Sequence, residues 1–186
     1  MVIKDYTNRK IFYDKNNLKL TSSFIEDAKY VADNMRKDDI HECNIFNVSP
    51  YDALIKPIIH NNNETYSISI HNKIVCICGT SPISDTKMGS IWGLGTSDID
   101  KYFISWTKSS NDFLDIMQKN YSQVTNVIPI SNKKYIKWLK KCGFIFDKKT
   151  FFRKKEEMVQ FFRCNSLHNV IYNEESEPVT HWVTFG

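Results

Sequence analysis

The sequence predicts an α/β chain of the α+β kind: one mixed, mostly antiparallel sheet flanked by helices, in a single domain with an extension at each end. Three observations carry this. Short segments near residues 66–70, 74–79 and 90–96 alternate or concentrate apolar side chains and follow one another through brief polar turns, as in an antiparallel meander. Apolar stripes at helical spacing precede and follow that meander, in residues 24–36 and 99–117. Residues 124–146 then read as strand, amphipathic helix, glycine stop and strand.

Taken in order, residues 1–17 form an N-terminal extension with room for a short strand, and residues 18–21 make the first core strand because Leu18 and Leu20 alternate with polar neighbours. Ser23 and Glu26 stand at capping-box spacing, and Phe24, Ala28, Val31 and Met35 share one helical face, so a helix is expected over 24–36. Asp38 or Asp39 can cap a second short helix over 40–46, with Cys43 inward, and Ser49-Pro50 opens a further helical turn. The long helix carries Ile99, Phe103, Trp106, Ser110, Phe113, Leu114 and Met117 on one stripe, with Thr96, Ser97 or Asp98 as its cap. Pro129 places its end of the 124–130 strand at an edge or bulge, since it has no N–H to donate. Asn132 starts the next helix, with Tyr135, Leu139 and Cys142 inward and five lysines outward, and Gly143 ends it. Residues 158–164 make the last core strand of a domain spanning 18–164. The tail, 165–186, is apolar around Trp182, Val183 and Phe185, and is read as a partner-docking segment.

The 186 residues suffice for one full core, and 41% apolar with 25% charged residues is the balance of a soluble globular chain. No apolar run approaches the length of a membrane helix, and the first residues lack a signal-peptide core, so a cytosolic protein is expected. Five widely spaced cysteines argue against a disulfide framework. Cys76 and Cys78 share one strand face, where packing is expected rather than a metal clip, because no second pair stands at zinc spacing. Charge is uneven: residues 133–155 hold ten basic residues against one acidic residue, Asp147. That face is read first as a solvated surface, and otherwise as one that attracts an acidic protein or nucleic acid.

The order of elements over residues 18–164, with the Asn132…Gly143-Phe144 phrase, resembles the GNAT acyltransferase fold. A narrower set of phrases is similar to the GNAT-like internal virion or morphogenesis proteins of short-tailed bacteriophages. These are Asp27-Ala28, Val31-Ala32-Asp33-Asn34-Met35-Arg36 with Asp39 and Glu42, Ala53-Leu54, Gly79, Ile91-Trp92-Gly93-Leu94-Gly95-Thr96, Asn126-Val127, Asn132, and Lys137-Trp138-Leu139-Lys140 with Cys142-Gly143-Phe144. This resemblance implies a virion or assembly protein whose partners are other phage structural proteins (core, portal, adaptor or tail components), in the particle or in the host cytoplasm during assembly.

A GNAT enzyme cradles the acyl-CoA diphosphate on a Gln/Arg-x-x-Gly-x-Gly/Ala loop, where glycine lets backbone N–H groups approach the phosphates at a helix start. The matching stretch here, Gly95-Thr96-Ser97-Asp98-Ile99-Asp100-Lys101, has no Gly-x-Gly after the strand and places Asp98 and Asp100 at the helix start. Many such enzymes carry an acidic tyrosine four residues before the Gly-Phe glycine; here that position is Leu139, and Tyr135 lies about 6 Å further along the helix axis. Glu64 and Asp85 are loop carboxylates available as a general base, with nothing to distinguish them. The expectation is therefore a fold without catalytic residues, cofactor or metal, docking through Trp182, Val183, Phe185, Lys137 and Lys140. The alternative is a divergent N-acyltransferase using acetyl-CoA, held by the backbone of Leu94, Gly95, Thr96 and Ser97.

Overall fold

The computed structural model describes residues 9–60 and 64–165. The elements in chain order are β1 (Ile11–Lys15), β2 (Leu18–Ser22), α1 (Ile25–Asp33), α2 (Lys37–Ile45), α3 (Pro50–Ile59), β3 (Glu64–Ile70), β4 (Lys73–Pro82), β5 (Met88–Gly95), a 3-10 turn (Ser97–Asp100), α4 (Phe103–Gln118), β6 (Gln123–Pro129), α5 (Lys133–Lys141), β7 (Ile145–Arg153) and β8 (Glu156–Cys164). The eight strands make one sheet in the order β1-β2-β3-β4-β5-β6-β8-β7. Among the described strands, only β5 and β6 run parallel. The mixed, mostly antiparallel α/β architecture is the one the periodicities predict.

Alternation along the strands divides the core into two faces. Cys76 and Cys78 of β4 pack with Trp106, Phe113, Leu114 and Met117 of α4 and Trp138 and Leu139 of α5. Ile77, between those cysteines, packs with Ala28 and Val31 of α1 and Leu54 of α3 on the other face. The two thiols are therefore core side chains, and all the described cysteines are unbonded.

Several boundaries differ from expectation, each because of a contact between distant residues. The cap of α1 is Phe24, whose N–H donates to the Asp27 carboxylate at 3.1 Å, so Ser23 and Glu26 do not form the expected box. Asp27 also takes both Arg9 guanidinium nitrogens at 2.6 Å and the Ser67 hydroxyl at 2.6 Å. This buried carboxylate ties the chain before β1 to the sheet. The extension then continues as β1, whose Tyr13 hydroxyl reaches Ser109 and Asp112 of α4 at 3.1 and 2.9 Å. Helix α1 ends at Asp33, and Met35 instead bridges Thr96. Helix α2 begins three residues earlier than expected, at Lys37, and its Asp39 is not a cap. The predicted turn at Ser49-Pro50 is a full helix, α3, with the Ser49 hydroxyl accepting the Asp52 N–H. Thr96 caps the 3-10 turn rather than α4 itself.

β5 and β6 pair over three residues only, Met88–Gln123, Gly89–Val124 and Ser90–Thr125, and then diverge. Pro129 fits this divergence. The Ile130 N–H points to Glu157 in β8 at 2.9 Å, so the preceding position, where N–H direction alternates, faces the side that β5 has left. The Asn126 side chain spans the start of the gap, donating to the Ile91 carbonyl at 2.5 Å.

Helix α5 follows as expected, from Asn132, whose side chain accepts the Tyr135 N–H, to Gly143 at φ +83°. Trp138 joins Leu139 and Cys142 in the buried face, its indole donating to Ser110 at 2.9 Å, while the five lysines point outward. Beyond it, β7 runs to Arg153, much longer than the 144–146 segment expected, because hairpin pairing with β8 supports a strand that alternation alone does not mark.

Gly79 is confined: a Cβ there would stand 2.4 Å from the Glu64 carbonyl and 2.9 Å from the Trp92 ring. Gly79→Ala should lower stability by about 1–3 kcal/mol, the usual cost of overpacking. Gly143→Ala, strained only through its φ, should cost about 1–2 kcal/mol. Urea unfolding of the two variants checks both values and their order.

Candidate functional site: the cleft between β5 and β6

The divergence of β5 from β6 opens a cavity of about 390 Å³ through the sheet. Its walls are Trp92 and Leu94 of β5, Asn126 and Ile128 of β6, Trp106 and Phe113 of α4, and Tyr135, Trp138 and Leu139 of α5, with Arg36, Glu42 and Phe46 closing the α2 side. Its size and apolar lining suit a small-molecule cleft.

A buried ion pair holds one wall. Arg36, just before α2, directs Nε and Nη2 to the two Asp39 oxygens at 2.7 and 2.6 Å. The same Asp39 carboxylate accepts the Gly95 N–H at 2.7 Å, and the Arg36 N–H donates to the Gly95 carbonyl at 3.0 Å. Burial pushes the Asp39 carboxyl up, against Arg36 and the Gly95 amide, which favour its charge. Burial likewise opposes the Arg36 charge, but Asp39 outweighs it and raises its pKa. The guanidinium lies 3.4 Å over the Tyr135 ring centroid, so it is stacked as well as paired.

Glu42, one turn along α2, accepts from the Asn132 side chain at 2.9 Å. Its carboxylate sits deep in the cleft, although part of the side chain reaches solvent. Burial, reinforced by the nearby Asp39 charge, raises its pKa to about 7, a value suited to proton transfer. Burial also raises the Tyr135 phenol, keeping it protonated, and lifts the Cys43 thiol to about 12, away from any nucleophilic role. Among the described residues, the Tyr135 hydroxyl and the Trp92 and Trp106 indole nitrogens are buried without hydrogen-bond acceptors.

The strand end expected to face a diphosphate is fully bonded within the chain. The Gly95 N–H goes to Asp39, Thr96 to the Val75 carbonyl at 2.8 Å, Ser97 to the Asn34 carbonyl at 3.4 Å, Asp98 to the Thr96 hydroxyl at 3.3 Å, and Ile99 to the Thr96 carbonyl at 3.2 Å. Five consecutive amides are thus turned inward. Asp98 accepts Lys101 at 2.7 Å and Lys73 at 2.5 Å, and these bonds lower its pKa. Asp100 pairs with Lys134 of α5. The residues at this strand end do not fit an acyl-CoA diphosphate.

Of the residues singled out in the sequence, Leu94, Gly95, Tyr135 and Leu139 line the cleft, Thr96 is buried beside it and Ser97 is exposed. Glu64 instead hydrogen-bonds Tyr66 and Asn120, and Asp85 sits in the β4–β5 turn; neither lines the cleft. Lys137 and Lys140 are exposed on α5. Trp182, Val183 and Phe185 lie outside the described residues. Sequence reasoning missed the roles of Arg36, Asp39 and Glu42. Their three-residue spacing, from the residue before α2 into that helix, was the available signal, but it carries no meaning without Gly95 and Asn132 opposite. Among the described residues no group of three or more potential metal ligands converges, and no helix is long and apolar enough to cross a membrane.

Asp39→Ala should destabilise the chain by about 3–5 kcal/mol in urea unfolding, because it leaves Arg36 charged, buried and unpaired. The raised Glu42 carboxyl is still protonated in the folded chain at pH values where it is ionised in the unfolded chain. Its contribution to stability is therefore complete below pH 4.5 and lost as pH rises through about 7. Glu42→Gln, which keeps an acceptor for Asn132, should raise stability at pH 8 by about 1–3 kcal/mol and leave it unchanged near pH 4. Unfolding curves at the two pH values check this.

No protein-family model matches the sequence, and no curated protein does. Solved structures do match. A spermidine N-acetyltransferase from Vibrio cholerae, in complex with CoA and spermine, superposes with a TM-score of 0.62 at 13% identity, over 81% of this chain and 96% of that one. A ribosomal-protein-S5-alanine acetyltransferase from Vibrio fischeri gives 0.58 at 17%, over 84% and 97%. A probable acetyltransferase gives 0.62 at 8%, over 83% and 96%. At these identities the likeness is one of fold, and the chain has the fold of the GNAT acetyltransferases.

Proposed function

We propose that this chain is a GNAT-fold protein that works by docking to other proteins rather than by acyl transfer, as a component of a phage particle or of its assembly. The observation that carries the first half is the inward bonding of the Gly95 to Ile99 amides. A diphosphate cradle needs free backbone donors, and these have acceptors inside the chain. Leu139 in the wall of the cleft, where many acyltransferases have a proton-donating tyrosine, supports the same reading. The phage setting rests on the phrases shared with GNAT-like virion proteins. It makes the partners core, portal, adaptor or tail proteins, and the location the particle or the host cytoplasm during assembly.

A divergent acyl-CoA-dependent N-acyltransferase, acting on a host or phage protein, is the second reading. Glu42 favours it, since a carboxyl with a pKa near 7 beside a cleft is a suitable base for an amine. So do the fold neighbours, which are named as acetyltransferases.

Calorimetric titration with acetyl-CoA separates the two. Docking predicts no heat of binding at micromolar ligand; saturable binding that Thr96→Trp abolishes would establish the enzyme instead. Docking also predicts that the full chain co-purifies with phage particles or assembly intermediates, and that truncation after Asn165 reduces incorporation. Unchanged incorporation of the truncated chain would remove the tail from the docking surface.

A further inference from the structure

We propose that the outer edge of β7 is a strand-addition site for an extended acidic segment of a partner protein; this deepens the docking reading and rests on it. β7 ends the sheet, and among the described residues no strand lies beyond it. Its outward backbone groups offer the pairing surface that an extended peptide uses. Two large apolar side chains on it are uncovered, Ile145 at 58% and Phe152 at 73% exposure. Ile145 stands opposite Phe162 and Phe152 opposite Glu157, so they project from opposite faces near the two ends of the strand. An added strand would find one apolar contact on each face.

The edge is already held in position. The Arg153 guanidinium lies 4.5 Å over the Phe46 ring, and Lys154 reaches the Asn44 carbonyl at 2.7 Å and the Asn47 side chain. Thr150 donates to Glu157 at 2.6 Å. A partner therefore meets an ordered strand, which lowers the entropic cost of association. An irregularity in the β7–β8 pairing between Phe146 and Thr150 divides β7 into a short regular stretch at residues 145–146, carrying Ile145, and a longer one at 150–153, carrying Phe152.

Charge selects the occupant. Lys148, Lys149 and Lys155 are exposed along the hairpin, and Lys137, Lys140 and Lys141 are exposed on α5 behind it. The Lys140 ammonium lies 5.5 Å from the Phe146 ring centroid, which brings the helix lysines against β7. Two copies of this strand would set lysines against lysines, which disfavours self-pairing. A segment alternating glutamates with β-branched residues suits both the charge and the edge.

The test uses the full chain and a labelled ten-residue peptide alternating Glu with Val and Thr, followed by fluorescence anisotropy and amide exchange. The expected result is binding at low salt that weakens by about tenfold in high salt and by about tenfold in Lys148→Glu/Lys149→Glu. Phe152→Thr should weaken it as well; Lys87→Glu/Lys119→Glu, at exposed lysines in the β4–β5 turn and just after α4, should not; and exchange should slow within residues 150–153. The proposal is overturned by absence of binding, by equal binding of a peptide with Lys in place of Glu, or by full affinity in the double lysine variant. A dimer in sedimentation that Phe152→Thr dissolves would assign the edge to a second copy and overturn the foreign partner. Acetyl-CoA titration of the same sample keeps the two levels apart. If acetyl-CoA binds, the docking reading falls; if neither ligand binds, only the β7 site falls.

Discussion

A single carboxylate, Asp39, fixes the junction between α2 and the end of β5. It gathers two guanidinium hydrogen bonds and the Gly95 amide in a site that burial would otherwise make hostile to charge. Without those donors the charge would be too costly to bury; with them it joins α2 to the end of β5. The Arg36 backbone and the Met35–Thr96 bridge complete the junction from the same segment. The inward direction of the Gly95 amide follows from that junction, and the Thr96 amide beside it is held by the Val75 carbonyl of β4.

The cleft itself is a consequence of sheet topology. Among the described strands the one parallel pairing is only three residues long; past it the Val127 N–H turns to the Asn126 side chain at 2.7 Å, and Pro129, further on, has no N–H to offer β5. Asn126 then supplies a side-chain donor to Ile91 where the backbone ladder stops, so the gap has a defined beginning. Aromatic rings from α4 and α5 narrow it: Trp106 and Trp138 stand 5.5 Å apart and Tyr135 and Trp138 5.8 Å, centroid to centroid.

The meander, the long helix and α5 were legible because their signals are local: period-two alternation in β3, an apolar stripe in α4, an asparagine cap and glycine stop around α5. What was not legible depends on partners far apart in sequence. Ser23 and Glu26 have the spacing of a capping box, yet Asp27 takes the role because Arg9 and Ser67 stand ready to share it. The same limitation hid the cleft. Asp38 and Asp39 are equivalent as cap candidates on paper, and only the position of Gly95, 56 residues away, separates one exposed aspartate from one buried clamp. Glu42 is likewise unremarkable until Asn132 and Asp39 surround it. Strand β7 escaped because its side chains are mostly exposed and carry no alternation.

The inward bonding of the β5 end also bears on how the fold responds to its surroundings. A protein whose backbone donors await a ligand gains stability in proportion to the logarithm of that ligand's concentration, so its folded population follows the metabolic state of the cell. Here the acceptors belong to the chain, and the Gly95 to Ile99 amides are satisfied without a ligand. The strand end thus takes its hydrogen bonding from Asp39, Val75, Asn34 and Thr96, partners that the fold itself supplies.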